Sequence, residues 1–106
     1  EVILVLADML ELGQDTVQYH AEMGQFINAL PYVKSIFLLG DLVEHIKNEI
    51  KNKKVRYFMS KRIILEEIEK ELTENTLVLI KGSRAMKLDL IYDELALRDK
   101  IRKETK

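Results

Sequence analysis

The stretch Val2-Ile3-Leu4-Val5-Leu6-Ala7-Asp8-Met9-Leu10-Glu11-Leu12-Gly13 decides the fold. Its opening run is apolar without alternation, so a strand made from it has no wet face and needs cover on both sides, as parallel strands between helices do. Working outward, three further runs rich in aliphatic and β-branched residues fall near 34–39, 55–58 and 76–80, separated by longer helical patterns. The second and fourth runs also lack alternation and are expected to be buried on both faces. The third, Val55-Arg56-Tyr57-Phe58, alternates and reads as an edge. This order predicts an α/β, three-layer Rossmann-like domain with a mostly parallel sheet of about four strands and helices on both faces. Right-handed crossovers with sequential pairing of the first three strands leave the fourth a choice; placed beside the first it creates a switch point and gives the local order 4-1-2-3.

Helix signals fill the gaps. Asp15 with Gln18, and Asp41 with Glu44, have capping-box spacing, and Ser60 can cap a third helix. Helices are predicted over 16–29, 42–52 and 61–73, with Pro31 closing the first and Asn75 available past the third. A fourth is expected after Ser83, with Leu88, Ile91, Tyr92 and Leu95 as its apolar stripe. The block Lys51-Asn52-Lys53-Lys54 reads as a solvated helix end.

The 106 residues suit one domain, with 47% hydrophobic and 33% charged residues. A formal net charge of -1 gives no electrostatic footprint for nucleic acid or an anionic membrane surface. Cysteine is absent and the two histidines are far apart, so a metal site has little to stand on. That composition suits the cytosol, and no run is long enough to span a bilayer. The chain opens inside a strand-like run, and we read it as a piece of a longer protein.

In such a sheet, ligands gather beyond the carboxyl ends of strands, where strand order reverses. Asp8 and the turn Lys81-Gly82-Ser83-Arg84 then face one crevice. There Asp8 can accept hydrogen bonds from the vicinal hydroxyls of a ribose. Lys81 and Arg84 can hold a carboxylate or phosphate, Gly82 allows close backbone approach, and Ser83 opens a helix whose free N–H groups attract an anion. Each has a plainer reading beside it: Asp8 as a turn or cap residue, and Lys81-Gly82-Ser83 as a turn plus N-cap. His20 shares a helical face with Gly24 and Ile27, so it reads as a core histidine that can also brace the Asp8 loop. Glu11 reads either as a ligand-holding loop acid or as a solvated one. No Gly-x-x-x-x-Gly-Lys-Ser/Thr loop, Gly-x-Gly-x-x-Gly fingerprint or Gly-x-Ser-x-Gly elbow is present, so nothing here drives phosphoryl transfer by itself.

The segment from Asp8 to Gly13, followed by Tyr19-His20, and the segment Lys81-Gly82-Ser83-Arg84-Ala85-Met86-Lys87 together resemble the third domain of the Mur ligase family. The likeness runs from residue 1 to about Leu95 and is nearest to the members that add D-alanyl-D-alanine to a UDP-N-acetylmuramoyl-tripeptide. Ala7 and Ala85 stand where that family usually or often has glycine. The resemblance implies a bacterial cytoplasmic, ATP- and Mg2+-dependent amide ligase of three domains, monomeric at full length. Its UDP-sugar and central ATPase domains would lie outside residues 1–106. It implies that Asp8 binds the nucleotide ribose, that Lys81, Gly82, Ser83 and Arg84 lie beside the incoming dipeptide, and that this piece alone is inactive. The family's third domain begins with a strand and helix not found in this sequence. If that strand pairs beside 76–80, an apolar edge is open here, and the piece is expected to self-associate. A receiver-like module is excluded by the residues, since it needs an acidic pair after the first strand and a phosphoacceptor after the third. Another ligase of the wider superfamily, such as a folylpolyglutamate synthase, and a non-catalytic α/β binding module stay as alternatives.

Overall fold

The computed structural model describes residues 1–10 and 13–104, with side chains as far as Arg98. In chain order the elements are β1 (Val2–Ala7), α1 (Thr16–Asn28), β2 (Val33–Leu39), α2 (Glu44–Lys47), β3 (Lys54–Phe58), α3 (Lys61–Glu71), β4 (Leu77–Lys81) and α4 (Asp89–Glu104). Short 3-10 turns at Gly13–Asp15 and Arg84–Met86 lead towards α1 and α4. The four strands form one parallel sheet in the order β3-β2-β1-β4, with Leu4 opposite both Ile36 and Leu79. This is the expected 4-1-2-3 arrangement.

Strand alternation sends the side chains of the central strands into two cores. On one face Ile3, Val5, Ala7 and Phe37 pack against Ile64, Leu65 and Ile68 of α3 and against Leu88 and Ile91. On the other, Val2, Leu4, Leu6, Ile36 and Leu38 meet Ile27 of α1, Val43, and Ile46 of α2. Val5, Ile36 and Phe37 have no exposed surface, and full burial of such a side chain stabilises by about 1.5–3 kcal/mol. The two layers of helices therefore exist because β1 and β2 are apolar on both sides. On β3, Arg56 lays its guanidinium 4.5 Å from the Phe37 ring centre and pairs with Glu67 and Glu71 of α3, which charges that edge of the sheet.

Several local expectations fail for tertiary reasons. β4 is not buried on both faces: Leu77 and Leu79 are 56% and 46% exposed, because no described helix lies over them. The second helix is a single turn rather than a span over 42–52. Asn28 at the end of α1 accepts the Lys51 N–H and donates to the Glu49 carbonyl, both at 2.7 Å, and so engages backbone groups a longer helix would use. Neither capping box forms: the side chain of Asp15 caps nothing, and Val43 occupies the cap of α2. Ser60 does cap α3, accepting from Ile63 N–H at 3.3 Å. The basic block spans the loop before β3 and its first residue, Lys54, rather than a helix end, and Lys53 is tied down, donating to the Leu30 and Val33 carbonyls at 2.6 and 2.8 Å. Tyr92 points away from the α4 stripe and is 66% exposed.

Candidate functional site

The carboxyl ends of β1 and β4 are adjacent, and the loops that leave them are tied together. Ser83 N–H donates to the Asp8 carbonyl at 3.1 Å. The Ser83 hydroxyl accepts the Leu10 N–H at 2.5 Å and lies 3.4 Å from the Leu10 carbonyl. Gly82 is needed for this approach, since a Cβ there would stand 2.6 Å from Leu88 Cδ1 and 3.0 Å from Ala7 Cβ. Its missing side chain thus makes room for the protein's own packing. Ser83 does not open the helix expected of it: a 3-10 turn follows, Lys87 takes a left-handed φ of 53°, and α4 starts at Asp89. Ser83 works as a clasp between loops, with no cap bond to the turn it precedes.

Asp8 is held from the opposite side. Its Oδ2 accepts the Asp41 N–H at 2.9 Å and its Oδ1 the Val43 N–H at 3.0 Å, and the residue is only 7% exposed. The free N–H groups at the start of α2 are therefore satisfied by a carboxylate from another loop, which replaces the expected Asp41–Glu44 box. Gly40 permits this with a φ of 118°, and a Cβ at that position would fall 2.5 Å from the Asp8 carboxylate. A carboxylate has about four lone-pair positions, and bonds from the described residues take two of those on Asp8.

His20 of α1 is fully buried beneath the same loop. Its Nε2 lies 3.1 Å from the Met9 amide, which can only donate, so Nε2 accepts. The other ring nitrogen then carries the proton and donates to the Thr16 carbonyl at 2.7 Å. Ser83, His20 and the α2 turn thus fasten residues 8–10 from three directions. Glu11, the remaining candidate in this loop, lies outside the described residues.

The cationic candidates separate. Arg84 is exposed and lines a groove of about 890 Å³ with Val78, Ile80, Lys87 and Tyr92. Lys81 is also exposed but alternates onto the opposite face of β4 with Leu77 and Leu79. The structure therefore places Ser83 and Arg84 together and leaves Lys81 across the strand from them. Two residues near the site are not among the candidates that the sequence marks. Lys87 stands with Arg84 in the groove, and its left-handed backbone, uncommon outside glycine, has no sequence signal. Tyr57 lies across the sheet, and its phenol is held above the ordinary tyrosine range, first by desolvation and then by the negative charges of Asp41, Asp8 and Glu44. Among the described residues, no group of three or more His, Asp or Glu side chains converges as a metal site.

Comparison with known proteins places this geometry. A family profile described as Mur ligase, glutamate ligase domain, matches residues 1–84. The chain is 35% identical over 107 aligned residues to the UDP-N-acetylmuramoyl-tripeptide–D-alanyl-D-alanine ligase of Haemophilus influenzae, covering 94% of this chain and 22% of that one. The Bacillus subtilis protein of the same name is 31% identical over 97 residues, covering 88% and 21%. Among solved structures, MurF from Acinetobacter baumannii superposes with a TM-score of 0.70 at 23% identity, over 88% of this chain and 21% of its own. The MurF ligase of Thermotoga maritima, solved in complex with ADP, gives 0.68 at 24% identity with the same coverage. These structures share the fold, and the chain spans about a fifth of the length of its relatives. Because the matched profile takes in most of the chain, including Asp8, His20 and the turn up to Arg84, this chain belongs to the Mur ligase family, as its glutamate ligase domain.

Proposed function

We propose that this chain is the third domain of an ATP-dependent amide ligase that joins D-alanyl-D-alanine to UDP-N-acetylmuramoyl-tripeptide. The observation that carries the reading is the clasp between the β1 and β4 loops, Ser83 to Asp8 and Leu10. It fuses the two family-like motifs into one rigid rim with Arg84 exposed beside it, in a chain whose curated relatives bear that name. The longer protein is read as bacterial, cytoplasmic and monomeric, with residues 1–106 as its last domain and with the start of that domain upstream of residue 1.

In this reading the domain binds and orients. Arg84 pairs its planar fork with the carboxylate of the incoming dipeptide, and Lys81 adds positive charge from the other side of β4. Gly82 and Ser83 hold the turn that presents them. Asp8 offers its other acceptor positions to the ribose hydroxyls, over the small area its burial leaves, while His20 and the Glu11 segment support the loop. ATP supplies the phosphoryl group that activates the tripeptide carboxylate. The phosphates and Mg2+ belong to a central domain, since the donor set here contains no phosphate loop and, among the described residues, no carboxylate cluster. Closure of this rim over the substrates positions the amine and excludes water.

Steady-state kinetics on the longer ligase test this. Arg84→Ala is expected to raise KM for D-alanyl-D-alanine by about ten- to a hundredfold, the loss of one charge-assisted pair. Asp8→Asn, milder to the fold than alanine, is expected to raise KM for ATP. Unchanged constants in both variants, or robust turnover by the 106-residue chain alone, would overturn the assignment.

A further inference from the structure

Between the clasp and α4 the backbone makes a corner. The Ser83 and Arg84 carbonyls accept the Met86 and Lys87 N–H groups at 2.9 Å each, and Lys87 then turns left-handed, with φ 53° and ψ 44°. Among the described residues only Asn52 and Lys87 take a positive φ without being glycine. Asparagine does so readily because its short polar side chain bonds locally, whereas a lysine has no such help and its Cβ crowds the following carbonyl. The corner itself is required, since it returns Leu88 to the sheet, where the side chain is buried against Gly82. Glycine at position 87 would make the same corner without strain. Backbone strain of this kind persists where function uses the residue.

The charge of Lys87 stands with that of Arg84. Both are exposed and line one groove, and an i, i+3 pair in a 3-10 turn lies on one side of it. Both follow Lys81, the last residue of β4, so the pair lies past the strand's end rather than along its edge. Among the described residues the ion pairs belong to Arg56, Arg62, Lys70 and Arg98, which leaves Arg84 and Lys87 without a carboxylate. Asp89 is the one acid among the described residues that line the groove, and as the first residue of α4 it sits at the positive end of that helix. Lys81 takes no part in the lining.

We infer that Lys87 is the second cation on the carboxylate of the incoming dipeptide, which it holds together with Arg84, while Lys81 stays out of contact. The inference rests on the reading that this turn receives D-alanyl-D-alanine. Arg84 offers a planar fork of N–H donors that can meet both carboxylate oxygens, and the compact ammonium of Lys87, on its flexible stem, reaches the lone pairs that the fork leaves. Two cations facing one terminus make the groove select a free C-terminal carboxylate over a neutral amide.

Steady-state kinetics on the longer ligase test this, with D-alanyl-D-alanine as substrate and its C-terminal amide as a competing ligand. Lys87→Gln is expected to raise KM for the dipeptide about fivefold, the size of an exposed ion pair, with kcat and KM for ATP unchanged. The same substitution is expected to move the inhibition constant of the amide by less than about twofold, because the charge that Lys87 meets is gone. Lys87→Gly relieves the left-handed strain, so it is expected to melt no lower than the wild type while losing the same affinity for the dipeptide; a purely structural role would move stability and binding together. Lys81→Gln is expected to leave KM for the dipeptide within about twofold. If both Lys87 variants keep the wild-type KM while Arg84→Ala raises it, the inference falls and the proposed function stands. If Arg84→Ala also keeps it, both fall. Equal losses for dipeptide and amide, or a loss in Lys81→Gln that matches or exceeds that in Lys87→Gln, would likewise overturn the inference.

Discussion

Asp8 Oδ1 accepts the buried Val43 amide at 3.0 Å, across 35 positions of sequence. With the matching bond from Asp41 N–H to Oδ2, this carboxylate replaces the local side-chain cap that α2 lacks. It couples the loop after β1 to the start of the helix after β2. Any ligand contact made by Asp8 is therefore made by a group already fixed in place.

Removing that carboxylate should first be a stability effect. Asp8→Ala leaves two N–H donors at the start of α2 without partners and is expected to cost about 2–4 kcal/mol, while Asp8→Asn keeps one acceptor and costs about half as much. Urea unfolding of both variants checks this. Equal stability of Asp8→Ala and the wild type would remove the capping role.

Gly40 should tolerate no side chain. Its φ of 118° is costly for any L-residue, and a Cβ would overlap the Asp8 carboxylate at 2.5 Å. Gly40→Ala is expected to lose at least about 1–3 kcal/mol and to loosen the Asp41 and Val43 amides, visible as faster hydrogen exchange at those two positions. Exchange that stays slow there would show that the loop can rearrange around the methyl group.

His20 is a buried brace with two bonds. His20→Ala leaves the Met9 amide unpaired over a cavity, removes the side-chain bond to the Thr16 carbonyl and should cost about 2–4 kcal/mol. His20→Gln, which can still accept from Met9, should recover part of that loss. If both variants unfold at the wild-type urea midpoint, the contact between α1 and the Asp8 loop carries no weight.

Tyr57 should make stability fall at high pH. Desolvation, then Asp41, Asp8 and Glu44, raise its phenol above the ordinary range. The folded state thus favours the protonated form more than the unfolded state does. The contribution is full below the unfolded phenol value of about 10 and is lost as pH rises through the higher folded value. The effect is expected to be small, because Tyr57 is 40% exposed and its charge interactions are screened. Urea midpoints for wild type and Tyr57→Phe, compared at about pH 9 and about pH 11, should show the extra alkaline loss in the wild type alone.

What could be read from the sequence was local or periodic. The unbroken apolar run Val2–Ala7 required a strand covered on both faces, alternation in Val55–Phe58 marked an edge, and Ser60 marked a helix start. Crossover handedness left the fourth strand a choice of edge, and the place beside the first was taken for the switch point it creates. Asp8 and Ser83 were identifiable as residues at strand ends. Tertiary structure alone decided what each of them binds: Asp8 takes the amides of Asp41 and Val43, and Ser83 takes Leu10. It also decided that Asn28 shortens α2, that Lys53 bonds to the Leu30 and Val33 carbonyls, and that Leu77, Leu79 and Tyr92 stay exposed. The physical reason is range. Burial periodicity and caps depend on residues within a turn or two, whereas a hydrogen-bond partner 33 or 73 positions away, or a helix that fails to cover β4, is fixed only once the sheet has assembled.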